Sequence, residues 1–346
     1  MIPTETTTSM ARRAPETLNS TLAPAPRPAW SGRAHVLDLD DFTAGEIEAV
    51  LQNTAAMKEI LRRPVGKVPA LRGKTVVNVF YEASTRTRVS FELAAKNLGA
   101  DVVSVAASTS SVTKGESLLD TVRTLRALGA DLVVIRHSEA GAPYLVARHV
   151  DAHVINAGDG WHAHPTQALL DLFTIRERLG RIAGLKIVIL GDILHSRVAR
   201  SNAWGLARMG ARVVFCGPPT LMPPGTGERY GGSPWQVEVE LDPAVALDGA
   251  DVVMALRLQR ERQTGGLLPS LREYSRVYGL NRDRLALAKP GALIMHPGPM
   301  NEGVEIEPDV AHSLESAIEQ QVTNGVAVRM ALLYLLFGGE QSGSPL

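Results

Sequence analysis

Five times along this chain of 346 residues a helical stretch closes on Gly-Ala and an apolar run follows at once. The instances are Gly99-Ala100 before Val102-Val103, Gly129-Ala130 before Leu132 to Ile135, Gly210-Ala211 before Val213 to Phe215, Gly249-Ala250 before Val252-Val253, and Gly291-Ala292 before Leu293 to Met295. Glycine adopts the left-handed conformation that stops a helix, and a short apolar run with polar residues at both ends fits a strand buried on both faces. Strands that alternate with helices predict an α/β chain built on parallel sheets. The helices between the glycines share no other pattern, so the recurrence reflects architecture and not a sequence repeat.

The length suits roughly two domains, each large enough for its own core. A helix expected over Pro165 to Arg178 separates one group of strand-helix units, Lys74 to Asn156, from another, Lys186 to Met295. We therefore expect two doubly wound parallel-sheet domains joined by a bridging helix. The amphipathic segment from about Ser316 to Phe337 is too apolar for a free tail and is expected to pack back on the first domain. The expected divisions are a disordered extension at 1–32, a first domain at 33–164, a second at 165–312, and the returning C-terminal helix within 313–346. Near the start of ordered sequence, Thr43 and Glu46 form a capping box ahead of an apolar stripe at Ile47, Val50, Leu51, Met57, Ile60 and Leu61, with Thr54 its one polar member.

Charge narrows the classes of partner. Thirty-six Lys and Arg balance thirty-six Asp and Glu, which removes the basic field that nucleic-acid and anionic-membrane binders carry. No apolar run reaches the roughly 18 to 20 residues of a membrane span. The single cysteine, Cys216, sits in an apolar run and reads as a buried strand position. Residues 1 to about 32 hold five prolines, Glu5 and Glu16 without apolar periodicity. They fit neither a secretory signal nor a transit peptide, and a cytoplasmic location is expected.

In open parallel sheets ligands bind beyond the carboxyl ends of the strands. After Val76 to Phe80 comes Tyr81-Glu82-Ala83-Ser84-Thr85-Arg86-Thr87-Arg88 and then a helix. Hydroxyls and arginine at a helix start suit an anion such as phosphate, because free amides and the helix dipole favour negative charge there. No Walker loop exists in the chain, and no G-x-G-x-x-G follows the strand ending at Gly191-Asp192, so nucleotide hydrolysis and nicotinamide chemistry are disfavoured. His162-Ala163-His164 resembles a metal-binding pair, but it runs straight into a helix and no further ligand motif accompanies it. No metal and no cofactor are expected.

Ser84-Thr85-Arg86-Thr87-Arg88 resembles the carbamoyl-phosphate signature of the aspartate/ornithine carbamoyltransferase family. From about residue 34 to 338 the chain is similar to the aspartate-specific members. Six further motifs agree in order: Lys114-Gly115-Glu116, Arg136-His137, His164-Pro165-Thr166-Gln167, Arg197, Arg257-Leu258-Gln259 and His296-Pro297-Gly298-Pro299. The resemblance implies that Ser84, Thr85, Arg86 and Thr87, with Arg136, hold the phosphate of carbamoyl phosphate. It implies that Thr87, Arg136 and His164 surround the carbamoyl oxygen, while Gln167 and the carbonyls of Gly298 and Pro299 hold the carbamoyl amide. Arg197 would contact the α-carboxylate of L-aspartate, and Arg257 with Gln259 the β-carboxylate. Glu82, Arg197 and Arg262 would latch the domains on closure. Ser110 and Lys114 would reach into a neighbouring subunit's site, which implies a homotrimer with shared sites. A regulatory chain or a dihydroorotase partner is compatible with the resemblance.

Ornithine carbamoyltransferases share the phosphate signature but typically carry S-M-G and H-C-L-P strings, and neither is present. Arg257 would also repel a cationic side chain. Transfer to ornithine or another amino acid, and a non-catalytic scaffold, are the alternative readings. Many relatives carry arginine where this chain has Glu302, whose role the sequence leaves open.

Overall fold

The structure, a computed structural model, describes residues 30, 32–106, 117–224, 237–259 and 266–338. Two five-stranded sheets organise them, and every pairing within each sheet is parallel. The first sheet contains β1 (His35–Val36), β2 (Thr75–Phe80), β3 (Asp101–Ala106), β4 (Leu132–His137) and β5 (His153–Asp159). Its spatial order is β1-β5-β4-β2-β3. The second contains β6 (Lys186–Leu190), β7 (Arg212–Cys216), β8 (Glu238–Val239), β9 (Val252–Ala255) and β10 (Leu293–Met295), in the order β10-β9-β6-β7-β8. The helices are α1 (Ala44–Arg62), α2 (Thr85–Asn97), α3 (Leu118–Ala127), α4 (Ala142–His149), α5 (Pro165–Leu179), α6 (Arg197–Arg208), α7 (Pro243–Leu247), α8 (Leu271–Tyr278), α9 (Arg282–Leu285), α10 (Pro308–Ala311) and α11 (Ile318–Leu336).

Each of the five Gly-Ala junctions sits between a helical or turn segment and a strand. The glycines have φ of 78° (Gly99), 100° (Gly129), 80° (Gly210), 65° (Gly249) and 76° (Gly291), a region that side chains with a Cβ rarely enter. The expectation of strands buried on both faces holds for β4, β6, β7, β9 and β10, apart from a polar residue at one end of β4, β6 and β7, and fails for β3. Val103 there is 48% exposed because β3 is the edge strand, hydrogen-bonded only to β2.

The capping box of α1 forms as expected: Thr43 Oγ1 accepts from the Glu46 amide at 3.1 Å, and the Thr43 amide donates to Glu46 at 2.8 Å. Such a cap stabilises a helix by about 1 kcal/mol. Thr54 lies fully buried in the apolar stripe and donates its hydroxyl to the Val50 carbonyl at 2.7 Å, which removes the cost of burying it. Packing begins earlier than residue 33, since Trp30 is buried and meets Phe42 edge-on at 5.8 Å.

Helix α5 joins the two halves, packing on α1 and β5 on one side and on α6 on the other. Helix α11 lies across α1, α2 and α5. It buries Val328, Met330, Leu332, Leu333 and Leu335. Full burial of such a side chain contributes on the order of 1.5 to 3 kcal/mol, so this last helix is part of the first half's core. It also brings C-terminal residues to the cleft described next. No helix among the described residues is long and apolar enough to cross a membrane.

Candidate active site

A doubly wound sheet opens a crevice where the chain reverses its direction of strand addition. In the first sheet that point lies between β2 and β4, and in the second between β6 and β9. The two crevices face one another across a single cleft of about 450 Å³. From the β2 side it is lined by Glu82, Ser84, Thr85, Arg86 and Thr87, with Arg136 from β4. His164 and Gln167 enter from the start of α5, Arg197 from the start of α6, Arg257 and Gln259 from the segment after β9, and Gly298 and Pro299 from the segment after β10. Every sequence-predicted site residue that the structure describes is therefore brought to one cavity. Ser110, Lys114 and Arg262, with Gly115 and Glu116, lie outside the described residues.

Three helices begin at this cleft, and their first turns supply partial positive charge. At α2 the N-cap Ser84 makes no side-chain capping bond, so its hydroxyl is not consumed by the helix. At α5 the N-cap is His164, which is 5% exposed, and its amide donates to Ser201 Oγ at 3.0 Å. At α6 Ser196 caps the Ala199 amide at 3.1 Å, which fixes the turn that presents Arg197. Arg86 opens onto solvent in the cleft, and its guanidinium lies over Gly298 (φ 64°), where an added Cβ would sit 2.8 Å from Cζ. Partial burial, and then the nearby positive charge of Arg257, lower the Arg86 pKa. Two cations that repel one another across a cavity form a receptor for anionic charge.

Glu82 ties the two halves together. Its carboxylate accepts from Arg136 Nη2 at 2.9 Å and from Arg197 Nη1 and Nη2 at 3.0 and 3.2 Å. Arg197 also donates to the Gly160 carbonyl at 3.0 Å, and Arg136 to the Ala157 carbonyl at 3.2 Å. Both arginines cross above Gly158 (φ 116°), where a Cβ would lie 2.8 Å from Arg197 Cζ and 3.1 Å from Arg136 Nη1. Sequence reasoning missed Gly158, and nothing local marks it. It also missed Arg329 and Gln321 of α11, which line the cleft, and Asp171, a buried carboxylate behind it. The available signal for Asp171 was a lone acidic residue interrupting the apolar run Ala168 to Phe173 of α5. Behind Gln259, Asp192 accepts the Gln259 amide at 3.3 Å and His195 Nδ1 at 2.8 Å. His195 is buried edge-on against Trp161 and has a packing role.

The other residues singled out from sequence fall away from the cleft. His162 diverges from His164 and points to Asp159, 3.1 Å from Nδ1, and that hydrogen bond raises its pKa. Among the described residues no group of three His, Cys, Asp or Glu is placed to hold a metal. Cys216 is fully buried in β7, and burial pushes its thiol up to about 12. Glu302 faces solvent 3.3 Å from His312 Nε2, so its negative charge does not enter the anion site.

Asp38 supports the start of α5 from below. It accepts from Ser201 Oγ at 2.9 Å, and that hydroxyl in turn accepts the His164 amide. Burial raises the Asp38 carboxyl to about 7. A folded-state value above the unfolded one means stability is lost as pH climbs from about 4 to about 7, and the penalty is complete above that range. Asp38→Asn keeps the acceptor and removes the charge. We expect it to raise Tm at pH 8 and to leave Tm nearly unchanged at pH 4.5; equal shifts at both pH values would contradict this assignment.

Two family profiles cover nearly all the described residues. "Aspartate/ornithine carbamoyltransferase, carbamoyl-P binding domain" matches residues 34–177, and "Aspartate/ornithine carbamoyltransferase, Asp/Orn binding domain" matches residues 183–336. The chain belongs to the aspartate/ornithine carbamoyltransferase family. Within that family it is 63% identical over 309 residues to the aspartate carbamoyltransferase catalytic subunit of Roseiflexus castenholzii, covering 88% of this chain and 96% of that one. It is 62% identical over 307 residues to the catalytic subunit from Moorella thermoacetica, covering 89% and 98%. Among solved structures, the catalytic subunit of M. jannaschii aspartate transcarbamoylase matches with a TM-score of 0.77 at 35% identity, covering 90% of this chain and all of that one. The ornithine carbamoyltransferase of Pyrococcus furiosus matches with a TM-score of 0.78 at 31% identity, covering 88% and 97%. Backbone likeness thus spans both branches of the carbamoyltransferase family, and the residues reading the second substrate must separate them.

Proposed function

We propose that the chain transfers the carbamoyl group of carbamoyl phosphate to the α-amine of L-aspartate, giving N-carbamoyl-L-aspartate and phosphate, a step of pyrimidine biosynthesis. The observation that carries this reading is the pair of facing anion walls, with Arg86 of one half close enough to feel the charge of Arg257 of the other. High identity to catalytic subunits of aspartate carbamoyltransferases supports the aspartate branch. So does the chemistry of the second wall, where two arginines suit a dicarboxylate and oppose a cationic amino acid.

In this reading Ser84, Thr85, Arg86, Thr87 and Arg136 grip the phosphate, and Arg197 and Arg257 with Gln259 grip the two carboxylates. The neutral amine attacks the carbamoyl carbon, and its electron pair forms the new C–N bond. Charge builds on the carbamoyl oxygen between Thr87, Arg136 and His164, a set of donors organised before the reaction. The C–O bond to phosphate then breaks and its electron pair leaves with the phosphate, which takes the proton lost by the amine. No protein base is required. Holding the reactants together can supply roughly 7 to 11 kcal/mol of the barrier. Closure about Glu82, Arg197 and Arg262 delivers that alignment.

A compound in which a phosphonate is joined through an acetyl linker to L-aspartate unites both charge patterns. It should bind at least about a hundredfold tighter than carbamoyl phosphate and compete with it, whereas the same phosphonate joined to ornithine should not. Equal affinity for both compounds would remove the aspartate assignment. The T. cruzi aspartate transcarbamoylase, a structural match at 29% identity and a TM-score of 0.79, has been solved with the aspartate compound bound.

The working unit in this reading is a homotrimer, with Ser110 and Lys114 completing a neighbour's site. Exposed apolar Val103 on the β3 edge, with exposed Val89 and Leu93 one turn apart on the adjacent α2, supports contact with another copy. Mixing inactive Lys114→Ala and Arg86→Ala chains should restore part of the activity, because hybrid trimers contain a site with neither lesion. Verified hybrids without recovery would rule out the shared site.

A further inference from the structure

Asp171 is fully buried on α5 and touches no part of the cleft, yet its carboxylate is bonded to both sides of it. Oδ1 accepts from Gln167 Nε2 at 3.0 Å and from Gln321 Nε2 at 2.8 Å, and Oδ2 accepts from Asn202 Nδ2 at 2.8 Å. An ionised carboxylate can only accept, so each amide must turn its NH2 toward Asp171. Gln167 is left with its carbonyl oxygen for the cleft that it lines. Gln321 is left with its carbonyl oxygen for the His296 amide, which donates to it at 3.0 Å. His296 Nδ1 in turn accepts the Gly298 amide at 2.8 Å. That acceptance leaves Nε2 to carry the proton toward Glu305 Oε1 at 3.3 Å, and Glu305 also receives the Asn301 amide at 2.6 Å. One carboxylate therefore sets the orientation of the Gln167 amide directly. Through Gln321 and His296 it also sets the turn that carries the Gly298 and Pro299 carbonyls.

We propose that Asp171 is a positioning residue that turns three oxygens, those of Gln167, Gly298 and Pro299, toward the NH2 of the bound carbamoyl group and so makes the site select carbamoyl phosphate over acyl phosphates. The inference rests on the carbamoyl-transfer reading above and assigns the specificity of that site. A cluster of fixed acceptors favours a ligand with two N–H donors and leaves its oxygens unpaired against a methyl group. Without the carboxylate, Gln167 is free to turn its NH2 into the cleft, where donor would meet donor. Burial raises the Asp171 carboxyl to about 7, against the three amide bonds and the charge of Arg329 on α11. The charged group facing it is thus Arg329, while α5 and α6 present the neutral amides of Gln167 and Asn202.

The test compares carbamoyl phosphate, acetyl phosphate and inorganic phosphate as ligands of the full chain at pH 8, in the parent, Asp171→Asn and Gln321→Met. Turnover with aspartate is measured alongside, and folding is checked by Tm. We expect Asp171→Asn to weaken carbamoyl phosphate at least about tenfold while acetyl phosphate and phosphate bind as before. Gln321→Met, which removes the link to His296 and leaves the Gln167 bond to Asp171 in place, should weaken it by a smaller factor and with the same selectivity. In the parent the preference for carbamoyl over acetyl phosphate should fall as pH drops through about 7, and in Asp171→Asn that step should be absent. Parallel weakening of all three ligands, or an unchanged preference, would overturn the proposal; if Asp171→Asn fails to fold, Gln321→Met decides by the same criterion. A parent that forms no product from carbamoyl phosphate and aspartate would instead defeat the carbamoyl-transfer reading itself.

Discussion

Arg86→Ala should lower kcat by about a thousandfold while leaving the fold intact. The guanidinium stands at the start of α2, open to the cleft and packed over Gly298. In carbamoyl transfer the departing group gains negative charge as its bond to carbon breaks, so a donor placed there strengthens during the reaction. Loss of one donor of this kind typically costs about 10² to 10³ in rate, and a charged donor belongs at the upper end. Arg86→Lys should recover only part of the loss, because a single ammonium cannot reproduce the paired donors. Steady-state kinetics with both substrates saturating check this. A kcat within tenfold of the parent would show that Arg86 does not meet the leaving phosphate.

Arg257→Ala should act on the other substrate. We expect kcat/KM for aspartate to fall about a hundredfold or more, as when one partner of a desolvated charge pair is removed, with carbamoyl phosphate binding unchanged or slightly tighter. The second clause follows from charge: after burial, the nearby Arg257 cation lowers the Arg86 pKa, and removing that repulsion relieves the phosphate side. Equilibrium titration with carbamoyl phosphate alone separates the two effects. Equal losses for both substrates would place Arg257 in general support of the cleft and remove it from recognition of the side-chain carboxylate.

The architecture was legible where local chemistry dictates it. A helix that must end and feed a buried strand needs a residue tolerant of positive φ, so Gly99, Gly129, Gly210, Gly249 and Gly291 announced five strands. The rule that ligands sit beyond strand ends then pointed to Ser84 to Thr87, and the family resemblance added Arg197 and Arg257; all of them line the cleft. What stayed hidden depends on partners distant in sequence. The exposure of β3 follows from its place at a sheet edge, and strand order is not written into the strand itself. Gly158 carries no local mark until two arginines from different segments are seen crossing it. The Asp171 carboxylate meets Gln321 across 150 residues of chain, and no spacing rule reaches that far. The role of Glu302 stayed open because the turn that directs it to His312 is not written in the local sequence.

Opposed cationic walls, one for a leaving phosphate and one for an incoming dicarboxylate, are the core of the functional reading. The most direct measurement is a carbamoylation assay at fixed carbamoyl phosphate with aspartate and ornithine compared at equal concentration, the product being identified in each case. N-carbamoyl-L-aspartate with phosphate, formed from aspartate and in large excess over any product from ornithine, is the predicted result. Citrulline formed from ornithine alone, or no product from either amino acid, would contradict it.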